Sequence, residues 1–110
     1  MADTAIIAAF LEMLAAERGA ARNTIEAYRR DLGDFTASLA ACGHEVCSAD
    51  GRAVGAYLAE AAASGLAPAS RARRLSAIRQ LYRFLLEEGR IDEDPTEHIR
   101  SPKQARALPQ

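Results

Sequence analysis

Residues 70–89 read SRARRLSAIRQLYRFLLEEG. Leu75, Ile78, Tyr82, Leu85 and Leu86 recur at steps of three and four, with Leu81 at the border of the same face, the period of an α-helix that buries one stripe. Pro68 suits a first helical turn and Gly89 a stop, so the spacing predicts one helix from Pro68 to Glu88, about 30 Å long. The first fourteen residues of the stretch also carry five arginines, and no acid follows until Glu87. A helix this long and this one-sided sets the fold class, and its arginines set the functional question.

Working outward, the same period marks three further helices. The first covers about Asp3–Arg18, with Ile6, Phe10, Met13 and Leu14 on one face and Gly19 after it. The second starts near Asn23 and carries Ile25, Tyr28, Leu32, Phe35 and Leu39 in an unbroken stripe up to Gly43. The third runs from about Ser48 to Ala63, with Val54, Tyr57, Leu58 and Ala61 on one side and Ser64-Gly65 as its end. In "DEDPTEHIRSP", Asp94 as cap, Pro95 at the first position and Glu97 three after the cap predict a short fifth element closed by Pro102. The expected architecture is all-α, a compact bundle of four helices plus a short C-terminal helical turn. Residues 1–100 read as the domain and residues 101–110, ending in KQARALPQ, as the start of a linker.

Composition agrees with this. The chain has 110 residues, about one domain, no tryptophan and few strand-favouring residues. No apolar run approaches the roughly 20 residues of a membrane span, and the start MADTAIIAAF lacks a basic leader, so a cytoplasmic setting without a membrane partner is expected. In that compartment Cys42 and Cys47 read as free thiols. His44 stands between them, but His98 is the only other histidine, too few ligands for a structural zinc site, and no cofactor is expected.

Net charge is -1, yet residues 1–65 hold five basic and nine acidic side chains whereas residues 66–110 hold nine basic and six acidic. Arg71, Arg73 and Arg74 crowd the N-terminal turns of the fourth helix. Cations there oppose the helix macrodipole and have no acid four residues away on their own helix. A solvated basic face and an anion-binding face account equally well for such a run, and Arg71 or Arg74 could instead pair with an acid from another helix. The second helix repeats the pattern, with Arg22, Asn23 and Thr24 at its start and Arg29 and Arg30 two turns on. Helix N-terminal amides with arginine forks suit phosphate, and arginine reads guanine edges, so nucleic acid becomes the natural ligand.

The segments "NTIEAYRRDLGDF" and "YLAEAAASGLAPASRARRLSAIRQLYRFLLEEGRIDEDPTEHIRSPK", followed by "LP", resemble the N-terminal core-binding, SAM-like domain of tyrosine recombinases of the Xer branch, more the XerD than the XerC group. The resemblance covers nearly the whole chain. It implies one half of a clamp around double-stranded DNA, with the second and fourth helices facing the major groove. It carries DNA contact to Arg22, Asn23, Thr24 and Arg30 on one helix, to Ser70, Arg71, Arg73 and Arg74 on the other, and to Lys103 and Arg106 where the linker passes the backbone. It also implies partner protomers, an XerC-like recombinase among them, in a tetrameric synapse on nucleoid DNA. Small-molecule substrates are not implied.

Ala21 and Ala67 depart from the family, which favours a serine or threonine cap there. Asn23 or Ser70 would then cap and shorten the helices. Glu26 is a further departure, an acid on a helix that should approach phosphate. The catalytic tyrosine of the family and the arginine, histidine and lysine that assist it belong to a second domain. Tyr28, Tyr57 and Tyr82 stand on apolar stripes and read as core, so the chain itself is expected to be a binding module rather than an enzyme. Two other classes fit less: a helix-turn-helix regulator, against which the fourth helix is too long, and a helical protein-interaction domain docking through its apolar or alanine-rich helices.

Overall fold

The computed structural model describes residues 2–100, and Pro102, Lys103 and Arg106 lie outside them. Four helices follow in order: α1 (Ala2–Glu17), α2 (Arg22–Ala41), α3 (Gly51–Ala63) and α4 (Pro68–Glu87), with a 3-10 turn at Val46–Ser48 between α2 and α3. Among the described residues there is no strand. The expected all-α bundle is the observed one. Residues 95–98 form hydrogen-bonded turns, the short C-terminal element, held by the Asp94 carboxylate, which accepts from the Thr96 amide and hydroxyl at 2.9 and 2.7 Å.

Glycine ends the two long helices for a stereochemical reason. Gly43 and Gly89 adopt φ of 81° and 75°, a left-handed conformation that a Cβ disfavours. Each lets the chain fold back on its helix: His44 N–H donates to Leu39 C=O at 2.8 Å and Arg90 N–H to Leu85 C=O at 2.9 Å, satisfying carbonyls that the last turn leaves open.

The core is built from the stripes. Phe10, Leu32, Phe35, Val54, Ile78, Leu81, Tyr82 and Leu85 are fully buried. Phe35 of α2 sits at the centre, its ring 5.1 Å from that of Tyr57 and 6.3 Å from that of Tyr82, both edge-on. The Tyr82 hydroxyl finds a partner in this apolar surround by donating to Val46 C=O at 2.8 Å. Burial pushes its ionisation well above the usual tyrosine range. The Asp3 carboxylate accepts from the Val46 amide at 3.3 Å, so both ends of the sequence order grip the 3-10 turn.

Three local expectations change. Leu86, assigned to the core face, is 40% exposed, because the stripe of α4 rotates past it at the helix end. Leu81, placed at the border, is fully buried. α3 begins at Gly51 rather than Ser48: Asp50 is its N-cap, accepting from Ala53 N–H at 3.0 Å, while Ser48 belongs to the 3-10 turn and takes the Glu45 amide at 3.0 Å.

Candidate nucleic-acid interface

α2 and α4 begin without side-chain caps. Ala21 and Ala67 hold the N-cap positions in extended conformation, and neither accepts a capping bond through its side chain. Neither Asn23 nor Ser70 shortens its helix, since the backbone bonds Ile25 N–H to Ala21 C=O and Arg71 N–H to Ala67 C=O, at 3.0 and 2.9 Å, already start the ladders. The first amides of α2 therefore point out among Arg22, Asn23 and Thr24, all exposed. Pro68 has no N–H to leave open, so α4 presents only Ala69 and Ser70 in the same way.

The arginines of α4 fall into distinct environments. Arg73 donates through Nε and Nη2 to Asp31 Oδ2 and Oδ1 of α2, at 2.8 and 3.0 Å, a two-pronged fork. Asp31 is 2% exposed, and the hydrogen bond to it raises the already high Arg73 pKa. Arg74 donates through Nη1 to Asp34 Oδ2 and to the Tyr57 hydroxyl, both at 2.6 Å, and the Tyr57 hydroxyl in turn donates to Asp34 Oδ2 at 2.7 Å. Burial opposes the charge of Arg74, but the Tyr57 and Asp34 contacts outweigh it and hold its pKa up. Burial, aided by the Asp34 carboxylate, pushes the Tyr57 phenol up to about 12. The Arg74 Nε is buried 3.5 Å from Asp31 Oδ1, close enough for charge attraction but without a hydrogen bond.

Thus Arg73 and Arg74 have no acid one turn away on their own helix, as the sequence shows, yet find them across the helix pair. The reading that an acid of another helix pairs with Arg74 is realised, and it extends to Arg73. Arg71 takes a third role, donating through Nε to Leu66 C=O at 3.2 Å and closing the α3–α4 connection. Glu26 meets Arg29 at 3.6 Å, both side chains 52% exposed, so this departure is answered by a weak pair one turn along the same helix. Among the described residues Arg22, Arg30 and Arg83 have no acid within ion-pair distance.

The pairs run in opposite senses along the two helices. Asp31 and Asp34 both meet the Arg73–Arg74 pair near the start of α4, whereas Tyr28, nearer the start of α2, meets Ser76 and Gln80 further along α4; the Gln80 Nε2 donates to the Tyr28 and Ser76 hydroxyls at 3.0 and 3.1 Å. α2 and α4 are therefore antiparallel at their contact. Their two first turns do not meet; Thr24 stands about 15 Å along α2 from Asp34, at 1.5 Å per residue. The candidate residues lie as a ridge with a polar seam, Arg22–Thr24 and Arg30 on one part and Ser70–Arg74 on the other. Sequence reasoning missed the seam itself: Asp31, Asp34, Ser76 and Gln80. Asp31 and Asp34, three apart on one helix side beside the apolar stripe, were the available signal.

The family described as "Phage integrase, N-terminal SAM-like domain" matches residues 7–89. The tyrosine recombinase XerD of Caulobacter vibrioides is 50% identical over 101 residues, covering 92% of this chain and 33% of the relative. That of Bradyrhizobium diazoefficiens is 47% identical over 107 residues, covering 97% and 34%. That of Brucella abortus is 50% identical over 100 residues, covering 91% and 32%. The chain thus spans about a third of the length of these curated relatives. No solved structure matches it. A four-helix bundle with this match over most of its length belongs to the phage integrase N-terminal SAM-like domain family, with XerD tyrosine recombinases as its relatives.

Proposed function

We propose that this chain is the DNA-holding module of a site-specific tyrosine recombinase, gripping one recombination half-site during strand exchange of the chromosome-dimer-resolution or integration type. The observation that carries this reading is the ridge formed by α2 and α4, whose first turns are uncapped and lined by arginine, on a domain of this family. Uncapped amides and arginine forks both favour phosphate. On this reading Arg22, Asn23, Thr24 and Arg30 contact the duplex from α2, and Ser70, Arg71, the outer edge of Arg73 and, where Asp34 releases it, Arg74 contact it from α4. Lys103 and Arg106 follow the backbone in a linker spanning residues 101–110, and residues 1–100 are the folded module.

Chemistry is assigned to a catalytic domain outside this chain. Tyr57 and Tyr82 are buried and hydrogen-bonded, and Tyr28 is half-buried in the seam, so none stands ready to attack a phosphodiester. The module works beside further protomers, an XerC-like one among them, in a tetrameric synapse, in the cytoplasm on nucleoid DNA. Among the described residues no helix is long and apolar enough to cross a membrane.

A titration with duplex DNA at several salt concentrations tests the reading. If about five phosphates are engaged, log affinity falls with log salt at a slope near -4 to -5. A flat dependence contradicts it.

A further inference from the structure

The two neighbouring arginines of α4 are held by carboxylates of opposite character. Asp31, which holds Arg73, has a side chain only 3% exposed, so pulling Arg73 away strands a buried charge. Asp34, which holds Arg74, has a side chain 56% exposed. Arg74 itself is 21% exposed, but its carboxylate partner stands open to water, where an incoming anion can compete for the same donor. A depression of about 400 Å³ opens over this pair, lined beside Asp34 and Arg74 by Ser38, Tyr57 and Ser64 and by a second carboxylate, Glu60, so a phosphate reaches Arg74 from the side away from Glu60 or not at all.

The position of Asp34 gives this competition a consequence. Asn23, Arg30 and Asp34 follow one another at steps of seven and four, which places them on one stripe of α2. Arg30, one turn before Asp34, has no acid within ion-pair distance among the described residues. An exposed carboxylate therefore stands within the basic ridge and occupies the donors that a phosphate would use.

Resting on the DNA-binding reading above, we propose that Asp34 is a resident stand-in for a DNA phosphate on Arg74, and that its displacement by a backbone phosphate limits how tightly this face takes DNA of any sequence. With Asp34 in place, a duplex meets a neutral patch at Arg74 and sequence-independent binding is held down. When a phosphate displaces the carboxylate, Arg74 keeps the Tyr57 hydroxyl as its second partner and gains the phosphate as its first. Asp34 thus sets a cost that any duplex meets before its phosphate can use Arg74, and so lowers the sequence-independent part of the affinity.

The test measures binding of the 110-residue chain to a short random-sequence duplex by fluorescence anisotropy across a salt series, for the unmodified chain, Asp34→Asn, Arg74→Gln and the double variant. Asp34→Asn is expected to bind about 3- to 10-fold tighter, with a salt slope steeper by about one unit as Arg74 acquires a phosphate. Arg74→Gln alone leaves the slope unchanged, and Asp34→Asn on that background steepens nothing. Thermal melts report folding, and Asp34→Ser is the second variant with the same expected gain. Tighter binding with an unchanged slope, a gain that survives Arg74→Gln, or no gain at all overturns the exchange alone. Absence of salt-dependent binding by the unmodified chain overturns the DNA reading and the exchange with it.

Discussion

Arg73→Ala is expected to destabilise the domain by about 2–4 kcal/mol, a value set by breaking a buried ion pair and reduced because the guanidinium is part-exposed. Removing Arg73 leaves Asp31 buried at 2% exposure with only Arg74 Nε nearby, 3.5 Å away and not hydrogen-bonded. Asp31→Ala should cost less, because the Arg73 side chain is already 43% exposed and can turn its charge to water. Asp31→Asn placed on the Arg73→Ala background should recover part of the loss, since it removes the stranded charge. For a domain of this size about 2–4 kcal/mol lowers Tm by roughly 10–25 °C, which a thermal melt resolves easily. Arg83→Ala, exposed and without an acid partner among the described residues, should stay within about 0.5 kcal/mol of the parent. Equal, small effects at Arg73 and Arg83 would contradict the buried pair.

This result bears on how the arginines are judged as DNA contacts. Loss of binding in Arg73→Ala mixes a lost contact with a weakened fold, so each variant must be compared at a temperature where both proteins are folded.

The second large effect lies at Phe35. It is fully buried and packs edge-on against Tyr57 and Tyr82, so Phe35→Ala removes the contact that joins α2, α3 and α4. The loss expected from transfer and cavity terms is about 3–5 kcal/mol, a large share of the 5–15 kcal/mol typical of a domain. Urea unfolding should show the midpoint falling sharply, with Leu86→Ala at the 40% exposed position as the mild comparison. Tyr57 also carries the hydroxyl that bridges Arg74 and Asp34, so loosening its ring loosens the seam at the same time. A change below about 1 kcal/mol at Phe35 would mean the bundle centre lies elsewhere.

Most of the fold was legible because helix periodicity is a local signal. The stripes from Leu32 to Leu39 and from Leu75 to Leu85 announce their buried faces without reference to any other element, and Gly43 and Gly89 mark their ends. Leu86 shows the limit: a residue at the edge of a stripe is buried only if the partner helix extends that far. The start of α3 was harder to place: Ser48 and Asp50 are both capping residue types, and only the structure shows Ser48 in the 3-10 turn and Asp50 as the cap.

The site was legible in outline and not in its pairing. Arg73 and Arg74 have no acid one turn away on their own helix, a fact the sequence states. Their partners Asp31 and Asp34 lie some forty residues away, and only the antiparallel crossing of α2 and α4 brings them within 3 Å. Charge pairing across helices depends on helix register, which no single-helix pattern encodes. The assignment of Lys103 and Arg106 to the DNA backbone falls outside the described residues and stands as a proposal.

The most direct test of the central claim is a titration of the 15N-labelled chain with a half-site duplex, followed amide by amide. Shifts are expected to concentrate at residues 22–34 of α2 and 69–76 of α4, while the core-facing amides of α1 around Phe10 and Leu14 stay in place. Shifts gathered instead on α1 or on the alanine-rich outer side of α3, with α2 and α4 silent, would contradict it.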